Sequence, residues 1–189
     1  MLKTTRLLNN LMSAQTSGIS ILSGTDRLDS NSYRLAAIYE RLAMDAGHAT
    51  DLFSLRDMPR DLDRIGPYGE PGLEMQAIID RHIRPFDKLV FVIPEYNGSF
   101  PGILKLFVDS VHPSDLYGRK AALVGLSDGR SGNLRGLDHF ATILNYVRVN
   151  VHWHKPRLMA FSTLLDKEGG LPAWAIDLLR EQITHFARF

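Results

Sequence analysis

An α/β fold, with a five-stranded parallel sheet carrying helices on both faces, is predicted by three observations. Short apolar, β-like runs alternate with helical patterns from Gly18 onward. One run, Leu89-Val90-Phe91-Val92-Ile93, is continuously apolar, as suits a strand buried on both faces. Three polar, glycine-containing loops each follow such a run, and each precedes a helix-like segment or further polar chain.

The elements follow in order. Residues 19–22 suit a first strand and 32–46 a first helix; 49–55 suit a second strand, although Thr50 and Asp51 interrupt its apolar character. Residues 56–72 hold three prolines, three glycines and many charges and read as a long loop, a feature that often serves a site. A helix is expected over 73–83 and the third, most apolar strand over 88–93. Pro94 cannot donate to a ladder and should end that strand's pairing, while Asn97-Gly98 tolerates positive φ in a tight turn. Pro101 suits the first turn of a helix whose apolar positions are Ile103, Leu104, Phe107, Val108 and Val111. A fourth strand over 120–126, a helix over 134–147 and a fifth strand near 149–153 follow. Pro172 opens a last helix through 187, with Trp174, Leu178, Ile183 and Phe186 available for its apolar face.

At 189 residues the chain is long enough for one sizeable core and short for two, so one domain is expected over 18–189. Residues 1–17 place Lys3 and Arg6 beside a weak apolar run. Such a segment is either a targeting peptide or an amino-terminal extension that packs on a partner subunit. Asn9 and Asn10 break the run and no small-residue cleavage site follows, which favours the extension. Twenty-two basic against 21 acidic residues, spread along the chain, leave a formal charge of +1 and no basic face for nucleic acid. No apolar run approaches the ~20 residues of a membrane span. Absence of cysteine removes disulfides, iron–sulfur clusters and thiolate zinc sites, and a reducing cytoplasm is the natural setting.

The three loops carry the chemistry. In the first, residues 23–32, the hydroxyls of Thr25, Ser30 and Ser32, the Asn31 amide, Arg27 and free helix N–H groups could cradle a phosphate; the plainer reading is a cluster that caps a helix. It lacks both the Gly-Lys-Ser/Thr ending of a nucleoside triphosphatase loop and the closely spaced glycines of a dinucleotide fold. The second is residues 94–102 and the third 127–132. In a sheet ordered 2-1-3-4-5 these loops meet at the switch point, where ligands bind. A phosphate at the first and a planar ring along the other two describe a mononucleotide such as FMN.

At these residues the chain resembles the NAD(P)H-dependent FMN reductases with a flavodoxin-like fold, which include quinone, azo-dye and chromate reductases. Pro94-Glu95-Tyr96-Asn97-Gly98-Ser99, with Pro101-Gly102 and Leu104-Lys105, looks like the family's isoalloxazine-binding loop and following helix. Against the family's phosphate pattern Gly-Ser-x-Arg-x-x-Ser-x-Asn-x-x-Leu-Ala, residues Gly24, Arg27, Ser30, Leu35 and Ala36 keep register. Thr25 replaces Ser, Ser32 replaces Asn, and Asn31 supplies an amide one residue early. Residues 127–132 look like the second ring-contacting loop; Asn133-Leu134-Arg135-Gly136 and Leu106-Phe107-Val108-Asp109 depart from the usual continuations.

The resemblance implies a flavodoxin-like three-layer sandwich and FMN held by Thr25, Arg27, Ser30, Asn31, Ser32, Pro94, Glu95, Tyr96, Asn97, Gly98, Ser127, Asp128, Gly129 and Arg130. It also implies ping-pong transfer from NAD(P)H to a quinone, azo compound or flavin, no catalytic acid or base, and a homodimer or homotetramer. Backbone N–H groups of 96–99 and 128–130 would face negative charge on the ring. Residues 95–98 would line it mainly through backbone atoms. Arg130 is either a contact for the 2′-phosphate of NADPH or a solvated surface residue, and Glu95 is read as a salt-bridge partner. A non-catalytic flavodoxin-like carrier is the alternative. Ser110, His112 and Asp109 contain the residue types of a hydrolase without its nucleophile elbow. His152-x-His154 is a possible metal pair lacking a third ligand nearby, and Trp153 and Trp174 are read as core or interface.

Overall fold

The alternation of side chains along the central strand fixes the layers. In the computed structural model, which describes residues 16–59 and 72–189, this strand is β3, Phe86–Pro94. Leu89, Phe91 and Ile93 face one apolar cluster, and Val90 and Val92 face another. Every residue from Leu89 to Ile93 is fully buried.

The flanking strands are β1 (Thr16–Ser23), β2 (Thr50–Ser54) and β4 (Lys120–Leu126), followed by two short edge pieces, β5 (Asn150–Val151) and β6 (Arg157–Leu158). All pairings are parallel, in the order β2-β1-β3-β4-β5, with β6 also on β4. On the first face pack α2 (Leu73–His82), α3 (Gly102–Ser110) and α5 (Leu134–Tyr146), which contribute Met75, Ile79, Leu104, Phe107, Leu137 and Phe140. On the second pack α1 (Asn31–Asp45), the short α6 (Phe161–Leu164) and the carboxyl-terminal α7 (Ala173–Arg188), while the short α4 (Pro113–Leu116) sends Leu116 into the first. α1 and α7 bring Leu35, Tyr39, Leu179, Ile183 and Phe186 to the second face. This is the expected three-layer sandwich.

Four local differences have physical causes. β1 begins at Thr16, and Thr16 already pairs with Phe86, so pairing starts two residues before the expected boundary at 18; residues 1–15 lie outside the described residues. Of the expected loop over 56–72, residues 60–71 lie outside them too, and its start is a 3₁₀ turn, Leu55–Asp57, capped by the Ser54 hydroxyl. Pro94 remains opposite Leu126, because the amide of Glu95 donates to the Leu126 carbonyl (3.0 Å) and the ladder needs no donor from proline. Pro101 is the N-cap of α3 rather than a residue of its first turn, and its carbonyl accepts from the Leu104 amide at 3.0 Å.

The strand expected near 149–153 is only the two-residue β5, and β6 is a second, unforeseen piece on the same side of β4. Single backbone bonds still reach across the gap, from His152 N to Ala121 O and from Gly125 N to Pro156 O, each 2.8 Å. The stretch ending at Pro156 pulls away from Leu123, whose carbonyl is instead met by Gln182 of α7. The fully buried Gln182 Nε2 donates to Leu123 O at 3.0 Å and to His154 O at 2.8 Å. Trp153 and Trp174 are 68% and 52% exposed, so neither is core. In the same region His152 is buried against Phe186, Phe189 and Trp153, and loss of hydration pushes its pKa below the ordinary 6.5.

Replacing Gln182 with Leu should lower unfolding free energy by about 1–3 kcal/mol in denaturant melts, because two buried carbonyls lose their donor. A second outcome concerns pH. Because the folded chain holds His152 neutral, its contribution to stability is whole above 6.5 and is lost as pH falls. The melting temperature should therefore drop between pH 7.5 and 5.5, and His152→Leu should flatten that drop.

Candidate active site

The loop after β1 is shaped by short polar contacts. Ser30 caps α1, its Oγ accepting from Tyr33 N at 3.2 Å, and Asp29 takes a left-handed φ of 50° to bring the chain there. A hydroxyl chain runs from Ser23 to Ser32 (3.3 Å) and on to Ser30 (3.2 Å). The amides of Asn31 and Ser32, first in a 15-residue helix, have no protein acceptor among the described residues. The loop is thus both a helix cap and an opening for an anion, since free N–H groups and the helix dipole favour negative charge. Thr25, 1% exposed, shares a 2.8 Å hydrogen bond with the Tyr96 hydroxyl and so ties this loop to the next.

After β3 the chain makes a two-residue hairpin. Asn97 and Gly98 have φ of 51° and 77°, and Tyr96 and Ser99 exchange amide-to-carbonyl bonds of 2.8 and 3.0 Å. Positive φ at both central positions is the type I′ turn that Asn-Gly favours. The donors expected over 96–99 are narrowed accordingly: Tyr96 and Ser99 are closed on each other and Glu95 donates to Leu126, leaving the Asn97 and Gly98 amides open. The side chains at 95 and 96 also have structural partners, which the emphasis on backbone atoms missed. Glu95 is a hydrogen-bond tie rather than a salt-bridge partner, Oε2 accepting from Ser131 Oγ and from Asn133 N (3.3 Å).

After β4, Ser127 Oγ donates to Gly129 O (3.1 Å) and accepts from Gly132 N (2.9 Å), which folds the loop around four open amides, Asp128 to Ser131. Asn133, fully buried at a φ of 65°, then donates through Nδ2 to Ile93 O (3.0 Å) and Pro94 O (3.1 Å), joining the β3 and β4 loops from beneath. Gly136 makes room for it, since a Cβ there would lie 2.0 Å from Asn133 Oδ1. The departure at Asn133-Leu134-Arg135-Gly136 therefore has a packing reason. Asp128 turns to Ser162 of α6, whose N–H and hydroxyl both reach Oδ1 (2.9 and 2.6 Å); these donors hold its carboxyl below the usual range.

The three loops converge. Ten of the expected residues, Thr25, Arg27, Ser30, Asn31, Ser32, Pro94, Glu95, Tyr96, Ser127 and Asp128, line one cleft of about 200 Å³. The other four, Asn97, Gly98, Gly129 and Arg130, line a shallower recess of about 540 Å³ that shares Glu95, Ser127 and Asp128 with the cleft. Sequence reasoning missed Leu28, Asp29, Leu126, Ser131 and Phe161, which also line these spaces. Phe161 is buried and arrives from beyond β6, with no local pattern to mark it.

The competing constellations do not assemble. Ser110 Oγ bonds back to Leu106 O (2.7 Å), Asp109 pairs with Lys105 (2.7 Å), and His112 Nδ1 lies 2.7 Å from Ser114 Oγ. His152 Nδ1 lies 3.5 Å from the His154 carbonyl, within the aromatic cluster.

Residues 18–155, which contain all three loops, match the sequence model of the NADPH-dependent FMN reductases. The chain belongs to that family. An NAD(P)H-dependent FMN reductase of Pseudomonas aeruginosa is 30% identical over 175 residues, covering 87% of this chain and 91% of the relative. The fold is similar to FerB, an NAD(P)H:acceptor oxidoreductase of Paracoccus denitrificans (TM-score 0.72, 21% identity, 90% and 95% of the two chains). It is also similar to the flavodoxin of Megasphaera elsdenii (TM-score 0.58, 14% identity, 90% and 99%). As a member of the NADPH-dependent FMN reductases, the protein is an oxidoreductase with FMN as cofactor and NAD(P)H as electron donor. Among the described residues no helix is long and apolar enough to cross a membrane.

Asn133→Ala should cost about 2–4 kcal/mol in denaturant unfolding, because two buried carbonyls lose their donor and a left-handed φ passes to alanine. Gly98→Ala, at a half-buried turn position where the added Cβ would meet only the end of the flexible Arg135 side chain (3.2 Å), should cost about 1 kcal/mol by the same measurement.

Proposed function

We propose that the cleft binds FMN with its phosphate at the amino end of α1 and its ring between residues 94–98 and 127–131. The observation that carries this reading is the meeting of open amides from three loops, Asn31–Ser32, Asn97–Gly98 and Asp128–Ser131, at the carboxyl ends of β1, β3 and β4. Open amides at a helix terminus suit a phosphate, and open amides in two facing turns suit the polar edge of a planar ring. FMN, when bound, supplies the hydride chemistry. The chain's own work is to hold and surround it. Ser30 and Ser32 shape the phosphate end, Thr25 and Tyr96 join the two ends of the cleft, and Glu95 and Asn133 fix the distance between the ring-side loops.

The reaction is a ping-pong cycle in this reading. NAD(P)H enters the recess beside Asn97, Gly98, Gly129 and Arg130, leaves, and a quinone, azo compound or flavin takes its place. Support comes from the recess that adjoins the cleft, which is lined by exposed Arg130 and by turn backbone, while the Glu95 and Asp128 carboxylates beside it are held by Ser131, Asn133 and Ser162. The working assembly is a homodimer or homotetramer in the cytoplasm, its domain beginning near residue 18.

Purified protein should bind FMN and show flavin absorbance, anaerobic NADPH should bleach it, and a quinone should restore it with parallel initial-rate lines. Absence of FMN binding by calorimetry would overturn the binding reading, and intersecting lines the ping-pong one.

A further inference from the structure

A fourth segment closes on the cleft besides the loops that follow β1, β3 and β4. It begins at β6, where Leu158 O accepts from Ser127 N (3.0 Å). It turns at Ala160 with a φ of 49°, and it enters α6 with Ala160 N bonded to Gly129 O and Phe161 N to Ser127 O, each 3.0 Å. Three backbone bonds thus hold residues 127–129 against residues 158–161. All of this lies beyond residue 155, where the match to the family ends.

The next residue, Ser162, reaches across. Its Oγ gives its one proton to Asp128 Oδ1 (2.6 Å) and accepts from Asn31 Nδ2 (2.9 Å), while its backbone N–H gives Asp128 a second bond (2.9 Å). The bonds run in one direction, from amide to hydroxyl to carboxylate, and every group is used in the only sense its chemistry allows. Asn31 belongs to the phosphate side of the cleft and Asp128 to the ring side, 97 positions apart in sequence. Turned to Ser162, the Asp128 carboxylate has two donors of its own. Released, it would be a negative charge, offset only through space by Arg27, on the wall of a cleft that we read as taking an anion, close to open amides that it could occupy itself.

We propose that Ser162 is a positioning residue, a latch that joins the first helix of the phosphate side to the ring-side loop and keeps the Asp128 carboxylate out of the flavin's place. The proposal rests on the cleft's being the FMN site. Because the chain Asn31–Ser162–Asp128 is exposed, its loss is a local loosening rather than a global destabilisation.

Two measurements test it. FMN is titrated into the apo-protein by quenching of flavin fluorescence, and trypsin cleavage after Arg130 is followed in the apo-protein without flavin. Ser162→Ala should weaken FMN by about tenfold, the value of one charge-assisted hydrogen bond. It should also quicken cleavage at Arg130, with the melting temperature unchanged. Ser162→Thr, which keeps the hydroxyl and the backbone donor, should restore both. Asn31→Ala combined with Ser162→Ala should weaken FMN less than the product of the two single effects, since both act through one chain. Wild-type cleavage in Ser162→Ala, equal losses in the Ala and Thr variants, or independent effects of positions 31 and 162 would each overturn the latch. Failure of the wild-type protein to bind FMN would instead overturn the reading of the cleft.

Discussion

Between Lys88 and Val92, β3 is paired on both edges, to β1 on one side and β4 on the other, and is covered on both faces by helices. That double enclosure requires the chain to leave the sheet on opposite sides of β3: α1 after β1 packs on one face, while α3 and α5 pack on the other. Where the connections part, the carboxyl edge of the sheet is left without a covering helix, and the amides of three turns are left without carbonyls. The cleft is a geometric result of placing the most apolar strand in the middle.

What turns an opening into a shaped site is a small set of ties between loops that are distant in sequence. Thr25 meets Tyr96, Glu95 meets Ser131 and Asn133, and Asn133 meets the end of β3. These contacts differ in weight. Asn133 is fully buried and satisfies carbonyls that have lost access to water, so it belongs to the fold as much as to the site. The contacts of Ser162 are exposed and weak by comparison, and can adjust the loop without endangering the core.

Much of this was legible in the sequence because the residue types leave few choices. Asn97-Gly98 after an apolar run is a hairpin turn, Ser30 before a helical pattern is a cap, and the run 89–93 is a central strand; each rests on a local rule and each holds here. The strand order expected from topology is the one observed, and the fourteen residues that the resemblance singled out fall along one cleft and its adjoining recess. What stayed hidden lacks local signs. Two-residue edge strands have no periodicity to read, so β5 looked longer than it is and β6 gave no sign at all. Gln182, Phe161 and Ser162 act on residues far away in sequence, and Trp153 and Trp174 show that a large aromatic ring does not by itself make a position interior.

The gap that Gln182 fills also bears on how copies of the chain can meet. At the β4 side the sheet ends in two fragments of two residues each, with Pro156 between them and a side chain from α7 seated on the one carbonyl left over. A neighbouring chain would find no straight run of free amides and carbonyls there, and so no template for adding a strand. Any assembly using this side of the molecule must be built from the side chains of helices and loops, with the ladder itself closed to outsiders.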